Sequence, residues 1–344
     1  MTLNKSSILS TLLIVFLIIA GLHYAKEFLM PLTIGGVLAT LFLPFCNWMQ
    51  GKKLPKSLSV LFCIITLLLI IVSISSVLAW QVSALTDDIP VIKVKIIKSI
   101  VQIQEFLINH LGISAEKQLQ IIEQEQPSYT DIAQIMIGSF AYVFTNLILI
   151  LVYLFCLLYY RDHMKQFILK LTPMPQRKDM EHAILSATKV SQNYLLGLAK
   201  MIACLWIMYS IGFGIIGIKN AIFFAILCGV LEIVPYIGNI TGTILTVFVA
   251  AAQGASLPML GGIIGTYGLV QLIQGWILEP LIVGPHVKIN PFTTIISLVI
   301  GEILWGIPGI FLAIPLIAMI KIACDHIEPL KPYGFLIGEV EKEK

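Results

Sequence analysis

The stretch "GVLEIVPYIGNITGT", Gly229 to Thr243, decides how this chain folds. It lies inside a long apolar run, Asn220 to Ala252, and carries a carboxylate, Glu232, followed closely by Pro235 and Gly238. A lipid bilayer penalises all three. An ionisable group near mid-bilayer costs roughly 2.5–3.5 kcal/mol on insertion scales. Proline removes a helix hydrogen bond, and hydrocarbon has no water to replace it. A chain that keeps these residues together at such depth is expected to use them, and a transport site is the expected use.

Composition places the stretch in a membrane. Of 344 residues, 58% are hydrophobic and only 12% charged, and the mean hydropathy is +0.94. Soluble domains carry about 25% charged residues. A large soluble core does not explain several runs that reach the ~20 apolar residues needed to cross a bilayer. The net charge of +3 is small. No basic stripe, zinc spacing or RNA-binding signature is present, so nucleic acid is not an expected partner. Cys46, Cys63, Cys156, Cys204, Cys228 and Cys324 lie in or beside apolar segments without a C-x-x-C pair. They read as small buried hydrophobes, and neither a metal nor another cofactor is expected. The N-terminus, "MTLNKSSILSTLLIVFLIIAGLHYA", mimics a signal peptide, but its apolar run is long and its cleavage pattern poor, so an uncleaved first helix is predicted.

Hydrophobic segments fall near 8–25, 28–50, 57–80, 135–160, 198–218, 220–252, 257–278 and 292–324. The prediction is an all-α integral membrane protein with about eight such segments. Two of them, 220–252 and 292–324, are broken or re-entrant. Lys52, Lys53 and Lys56 crowd one short loop, and residues 161–200 hold seven basic and three acidic side chains. Residues 81–134 hold four lysines and seven acids. Basic loops face the cytoplasm, so both termini are expected inside a multi-pass inner-membrane protein. This divides the chain into N-terminal membrane helices (1–80), an extracytoplasmic helical insertion (81–134), a transport core (135–330) and a cytoplasmic tail (331–344).

In the insertion, Ile92, Ile96, Ile100, Ile103, Leu107 and Leu111 mark one apolar helix face. It packs either on the protein's own body or on a second subunit. Residues 177–200 form another amphipathic stretch, with Ile184, Ala187, Tyr194 and Leu198 on its apolar side, and 177–197 is predicted as an interfacial helix entering the next span.

From Met201 to Ile320 the formal charges are Lys219, Glu232, Glu279, Lys288 and Glu302. Glu232 and Glu302 sit inside apolar segments that resemble each other. The second, "FTTIISLVIGEILWGIPGIFLAIPLIAMIKIAC", breaks at Gly306–Gly309 as the first breaks at "PYIG". Paired interrupted segments point to a transporter binding site, and broken helices leave amides and carbonyls for a polar solute or ion. The rival reading is a proline kink in each of two long tilted helices. If both segments cross once there are eight spans; if both fold back there are six spans and two hairpins. Gln271 and Gln274 lie on one helix face before Glu279; glutamines at such positions serve as interhelical glue or as ligand contacts. Arg161 and Asp162, adjacent at a helix exit, read as a topological anchor rather than a gate.

These residues also resemble a known family. "LEIVPYIGNITG", a following glutamine and "EPLIVGPHVKINPFTTIISLVIGEILWGIPGIFLAIPL" are similar to the autoinducer-2 exporter family of PerM-type permeases. The matching positions are Pro235 to Gly238; Pro280, Gly284, Val287 and Pro291; and Gly306, Gly309, Ala313 and Pro315. "YYRDHMKQFILKLTP" (Tyr159–Pro173), "NYLLG" (Asn193–Gly197) and prolines 31 and 44 fit as well. The resemblance spans roughly residues 8–330. Asn239 departs from it, since a proline is common after PYIG. It implies a multi-spanning, oligomeric transporter; some members are linked to autoinducer-2 export and others to sodium or lithium exchange against protons.

The expected function is a secondary transporter exporting a small polar solute, coupled to an ion gradient, in the lipid bilayer as a homo-oligomer. Glu232 and Glu302 would carry a proton or pair with sodium. Tyr236, Asn239, Gln271, Gln274 and Glu279 would contact solute or ion. Gly229, Pro235, Gly238, Pro280, Gly284, Pro291, Gly306, Pro308, Gly309 and Pro315 would form the breaks and hinges. The alternatives are a sodium or lithium/proton antiporter of the same fold and, more remotely, a passive channel or scaffold. No H-E-x-x-H, G-x-S-x-G or paired membrane aspartates argue for an enzyme.

Overall fold

The computed structural model describes residues 5–86, 129–235, 237–283 and 289–339. Most of the 81–134 insertion, including its Ile/Leu face, lies outside the described residues, as do Tyr236, Gly284 and the end of the tail. Among the described residues the chain is helical, and its one β-type pairing is an isolated bridge between Ile289 and Gly338.

The helices are α1 (Lys5–Tyr24), α2 (Lys26–Gly51), α3 (Lys56–Thr86), α4 (Tyr129–Tyr159), α5 (Arg161–Leu171), α6 (Arg177–Ile216), α7 (Ala221–Leu231), α8 (Ile237–Gln253), α9 (Leu257–Ile273), α10 (Pro291–Trp305), α11 (Ile307–His326) and α12 (Lys331–Ile337). A π-helical run, Gln274–Val283, continues α9. Among the described residues, six stretches are long and apolar enough to cross a membrane: Lys26–Gly51, Lys56–Trp80, Ala141–Tyr159, Met174–Ile216, Leu257–Ile282 and Ile307–His326. Shorter apolar helices accompany them. Exposed apolar side chains such as Phe16, Leu69 and Leu272 form the outer surface that lipid covers. Cys156 belongs to that exposed surface, contrary to its expected burial; Cys46, Cys63, Cys228 and Cys324 are buried thiols.

Two packed units meet. In the first, α2, α3 and α4 interlock around Phe42, Cys46, Val60, Cys63, Leu154 and Leu158. In the second, α6 to α9 surround Leu205, Tyr209, Phe213, Phe224 and Ile263. Between them, Val37 of α2 packs with Tyr194 and Leu195 of α6 and Leu312 of α11. A polar contact reinforces this seam for a definite reason. Pro44 sits inside α2 without an amide hydrogen, so the carbonyl four residues earlier, Thr40, loses its helix partner. Gln192 Nε2 donates to that carbonyl at 2.8 Å, and the hydroxyls of Thr40 and buried Ser191 meet at 3.0 Å.

At one end, the α2–α3 loop is fastened to the α4–α5 junction. Arg161 Nη2 donates to Gln50 Oε1 at 2.9 Å, and Lys56 pairs with Asp162 at 2.5 Å. The Lys56 hydrogen bond holds the Asp162 carboxyl below the usual carboxylate range. Its small contribution is therefore present above the ordinary aspartate pKa and fades as pH falls through the lowered value. These contacts fit an anchor.

The amphipathic stretch and the span that follows it form one continuous helix, α6, of 40 residues. At 1.5 Å per residue it is about 60 Å long, roughly twice the hydrocarbon thickness. The two long interrupted segments behave differently: each folds back on itself. In the first, Gly238 of α8 abuts the Leu231 carbonyl at the end of α7, and Gly242 lies against Cys228. Cys228 Sγ is 3.7 Å from Thr246 Oγ1 one turn further on. The partners advance along α8 as they recede along α7, which is antiparallel packing. In the second, Gly301 of α10 and Gly309 of α11 touch backbone to backbone, and a Cβ on either would overlap the other's carbonyl. The turn between them is Gly306, at φ 65° and ψ −142°, a conformation open in practice to glycine. Pro308 falls in the first turn of α11, where its missing amide hydrogen costs nothing. Pro291 likewise starts α10, capped by the Asn290 side chain accepting from Thr293 N at 2.8 Å. Pro291 and Pro308 thus begin helices. Pro280 and Pro315 lie inside helical runs.

Candidate functional site

Helix α7 ends at Leu231, and the chain passes through Glu232 to Pro235 before α8 begins. Proline at 235 supplies no amide, so the helix stops, and the turn presents Glu232 inward, 5% exposed. Gly238 lets α8 start directly against the end of α7. Gly229, one turn before the break, leaves room for the Trp206 indole, whose Nε1 donates to the Ile226 carbonyl at 3.2 Å.

Opposite the break stands the junction of α9 with its π-helical continuation. A π-helix displaces side chains from the α register and is frequently found at functional sites. Here it begins at Gln274, one turn after Gln271. Four side chains from three elements then form a chain of hydrogen bonds. Asn239 Nδ2 donates to Gln271 Oε1 at 2.9 Å. Gln271 Nε2 donates to Gln274 Oε1 at 3.1 Å and also lies 3.3 Å from the Tyr209 hydroxyl. Gln274 Nε2 donates to Glu232 Oε1 at 2.8 Å. Donation runs one way, from Asn239 to Glu232.

The two ends of this chain are incomplete. Glu232 Oε2 and Asn239 Oδ1 are buried acceptors without a partner among the described residues. Asn239 is 9% and Gln274 8% exposed, so bulk water does not reach them freely. A buried polar atom left unpaired costs about 1–3 kcal/mol, more when charged. Such atoms call for a donor.

They border a cavity of about 160 Å³ that Glu232, Asn239, Gln271, Gln274 and Glu279 line together. Pro235 and Gly275 also line it. The wall is completed by Tyr194, Leu198 and Met201 of α6, Thr294 and Leu298 of α10, and Ile314 of α11. Both hairpins, α6 and the π-helical run therefore meet at one point. Glu279 stands at the exposed side. Gly197 allows α6 to approach the carbonyl of Ile282, at the end of the π-helical run.

Glu302 is not part of this cavity. It lies in the last turn of α10, exposed, with its backbone carbonyl accepting from Gly306 N at 2.7 Å. The second hairpin contributes Thr294, Leu298 and Ile314 instead. Of the expected contact residues the fold gathers Glu232, Asn239, Gln271, Gln274 and Glu279; Tyr236 lies outside the described residues. Tyr209 was not anticipated: it sits in an ordinary apolar helix face, and only its hydroxyl, set against Gln271, marks it.

Comparison with known proteins places this arrangement. The profile of the AI-2E family transporters matches residues 12–328. YrrI of Bacillus subtilis (strain 168), which carries a provisional transport-protein name, is 24% identical over 318 residues, 88% of this chain and 87% of its own. YhhT of Escherichia coli (strain K12), named in the same provisional way, is 24% identical over 327 residues, covering 93% and 91%. The AI-2 transport protein TqsA of Escherichia coli (strain K12) is 24% identical over 351 residues, covering 99% of this chain and 98% of TqsA. With all-helical membrane architecture, two folded-back segments and a match over nearly its whole length, the chain belongs to the AI-2E family of transporters.

Proposed function

We propose that this transporter exports a small polar solute of the autoinducer-2 type, coupled to an ion gradient, with the cavity at Glu232 as its binding site. The observation that carries the reading is the pair of buried oxygens, Glu232 Oε2 and Asn239 Oδ1, that have no partner among the described residues and stand at the ends of one hydrogen-bond chain. Both accept, so the cargo must donate. Hydroxyl groups of a polyol-like solute donate to both, and a proton on Glu232 satisfies the first when the cargo has left. The name of the relative TqsA supports the solute class.

The same oxygens favour a second reading. Carboxylate and amide oxygens are hard ligands that suit a sodium or lithium ion, so the cavity can serve sodium or lithium/proton antiport.

In the membrane, the reading has both folded-back segments re-entering from opposite faces. Helix α7 has 11 residues and α10 has 15, about 16 and 22 Å at 1.5 Å per residue, short of the ~30 Å hydrocarbon core. Two oppositely inserted hairpins meeting at a midplane site are the arrangement of inverted-repeat transporters. Both termini face the cytoplasm by the lysine-rich loops. The expected division into residues 1–80, the 81–134 insertion and a 135–330 transport core goes with assembly as a homo-oligomer.

The test is flux in proteoliposomes containing the full chain, across autoinducer-2, sodium, lithium and protons. Saturable autoinducer-2 flux that responds to an imposed ion gradient is expected. Sodium- or lithium-driven proton movement without solute flux selects the antiporter. Flux that neither saturates nor responds to a gradient overturns both.

A further inference from the structure

A second cavity, of about 360 Å³, opens between α6 and the end of α11. On α6 it is lined by Ser186, Lys189 and Asn193, and on α11 by Lys321, Asp325 and His326. Ser186, Lys189 and Asn193 are spaced at about one turn, as are Lys321 and Asp325, so two polar stripes face each other across the gap. Aliphatic side chains, including Val190 and Ile322, fill the positions between.

Its depth follows from helix lengths. The 40-residue α6 is about twice as long as the hydrocarbon is thick, so its amphipathic first half cannot lie wholly in hydrocarbon. The other wall is the last two turns of α11, a helix of spanning length that ends at His326. The cavity therefore sits at the membrane–water boundary, the depth of lipid phosphates.

The charges are unequal. Lys321 Nζ pairs with Asp325 Oδ2 at 2.5 Å, and the lysine side chain is only 18% exposed. Asp325 is held on its other side by α12, whose Gly334 packs against it. Among the described residues Lys189 has no carboxylate partner. His326 Nδ1 lies 2.8 Å from the Ile322 carbonyl, so the neutral ring has only an acceptor left to offer. Two lysines against one aspartate leave one positive charge, with the Ser186 hydroxyl and the Asn193 amide as neutral donors beside it.

We propose that this cavity binds a phosphate-bearing anion, with Lys189 as its principal contact and Lys321, Ser186 and Asn193 as supporting ones. The ligand is the phosphate of a lipid headgroup or of a soluble phosphate compound. Its chemistry is the converse of the Glu232 cavity, which offers acceptors; this one offers a cation and donors. The proposal is independent of what the transporter carries.

The test is native mass spectrometry of the detergent-purified full chain, titrated with phosphatidylglycerol and, as a neutral control, phosphatidylcholine. Wild type is expected to bind phosphatidylglycerol selectively. Lys189→Gln is expected to weaken it about fivefold, the worth of one basic residue near an anionic surface, and Lys189→Arg to retain it. Lys189 is exposed, so these variants fold, and an unchanged unfolding temperature verifies that. Displacement of the lipid by millimolar inorganic phosphate assigns the site to free phosphate compounds as well; resistance to displacement assigns it to lipid. Equal phosphatidylglycerol binding by wild type and Lys189→Gln, or binding of neither lipid nor phosphate by wild type, overturns the proposal.

Discussion

The two folded-back segments look like copies in sequence and differ in what they contribute. Each has a glutamate before a glycine- and proline-bearing break, and each closes into an antiparallel pair through glycine contacts. In the first, the break turns Glu232 inward and the carboxylate joins three amide side chains in a buried network. In the second, Gly301 and Gly309 bring α10 and α11 backbone to backbone, and Glu302 is left exposed. The lesson is that the break motif encodes the turn, while the direction of the glutamate is encoded by its distance from the turn. Glu232 is in the turn itself; Glu302 is still on the helix, four residues before Gly306, and its orientation follows the helix face.

Five variants break or sharpen this contrast. The largest effect belongs to what the hairpins share. Gly238→Ala and Gly309→Ala each put a methyl group into a backbone carbonyl across the hairpin, and overpacking of that kind costs about 1–3 kcal/mol or more. Both should lower the unfolding temperature in detergent by similar amounts; a large loss in one and none in the other would mean that the hairpins are not closed alike.

The next effect divides them. Replacing Glu232 with glutamine keeps the shape but removes the charge and the site for a proton. Loss of a hydrogen bond to a charged group is worth about 1.5–3 kcal/mol, so flux should fall roughly ten- to hundredfold. Asn239→Ala removes the other unpartnered oxygen and frees Gln271, and a neutral bond of about 1 kcal/mol corresponds to a loss of roughly fivefold. The smallest effect is the most informative. Glu302→Gln should leave flux and its gradient dependence within about twofold, as an exposed substitution does. A loss at Glu302 equal to that at Glu232 would restore the functional symmetry of the two segments.

Much of the site was legible beforehand. Glu232, Gln271, Gln274 and Glu279 stand out because polar side chains are rare in apolar runs, and their rarity reflects the cost of placing them in lipid. Asn239 stands out where a proline is common. Thr294, Leu298, Ile314 and Tyr194 were not distinguishable from ordinary helix residues, because lining a cavity requires only position. The π-helical run after Gln274 had no sequence signal beyond Pro280, and the partnership of Gln192 with Thr40 was invisible because it joins residues 152 apart. The continuity of α6 was also hidden, since its amphipathic and apolar halves differ in composition but not in helix propensity.

What the sequence determined by itself is the solvent and the local geometry. Composition requires a membrane, run lengths place the segments, and the close-set proline and glycine of residues 235–238 and 306–309 mark the two breaks, because those are properties of single residues and their neighbours. What the tertiary structure decided is which carboxylate is buried in a polar network. A carboxylate takes its character from its surroundings, here the Gln274 amide at 2.8 Å, a second oxygen with no partner among the described residues, and walls drawn from both hairpins and α6. Those partners are 42 residues away along the chain in the case of Gln274, and only folding brings them within hydrogen-bonding range.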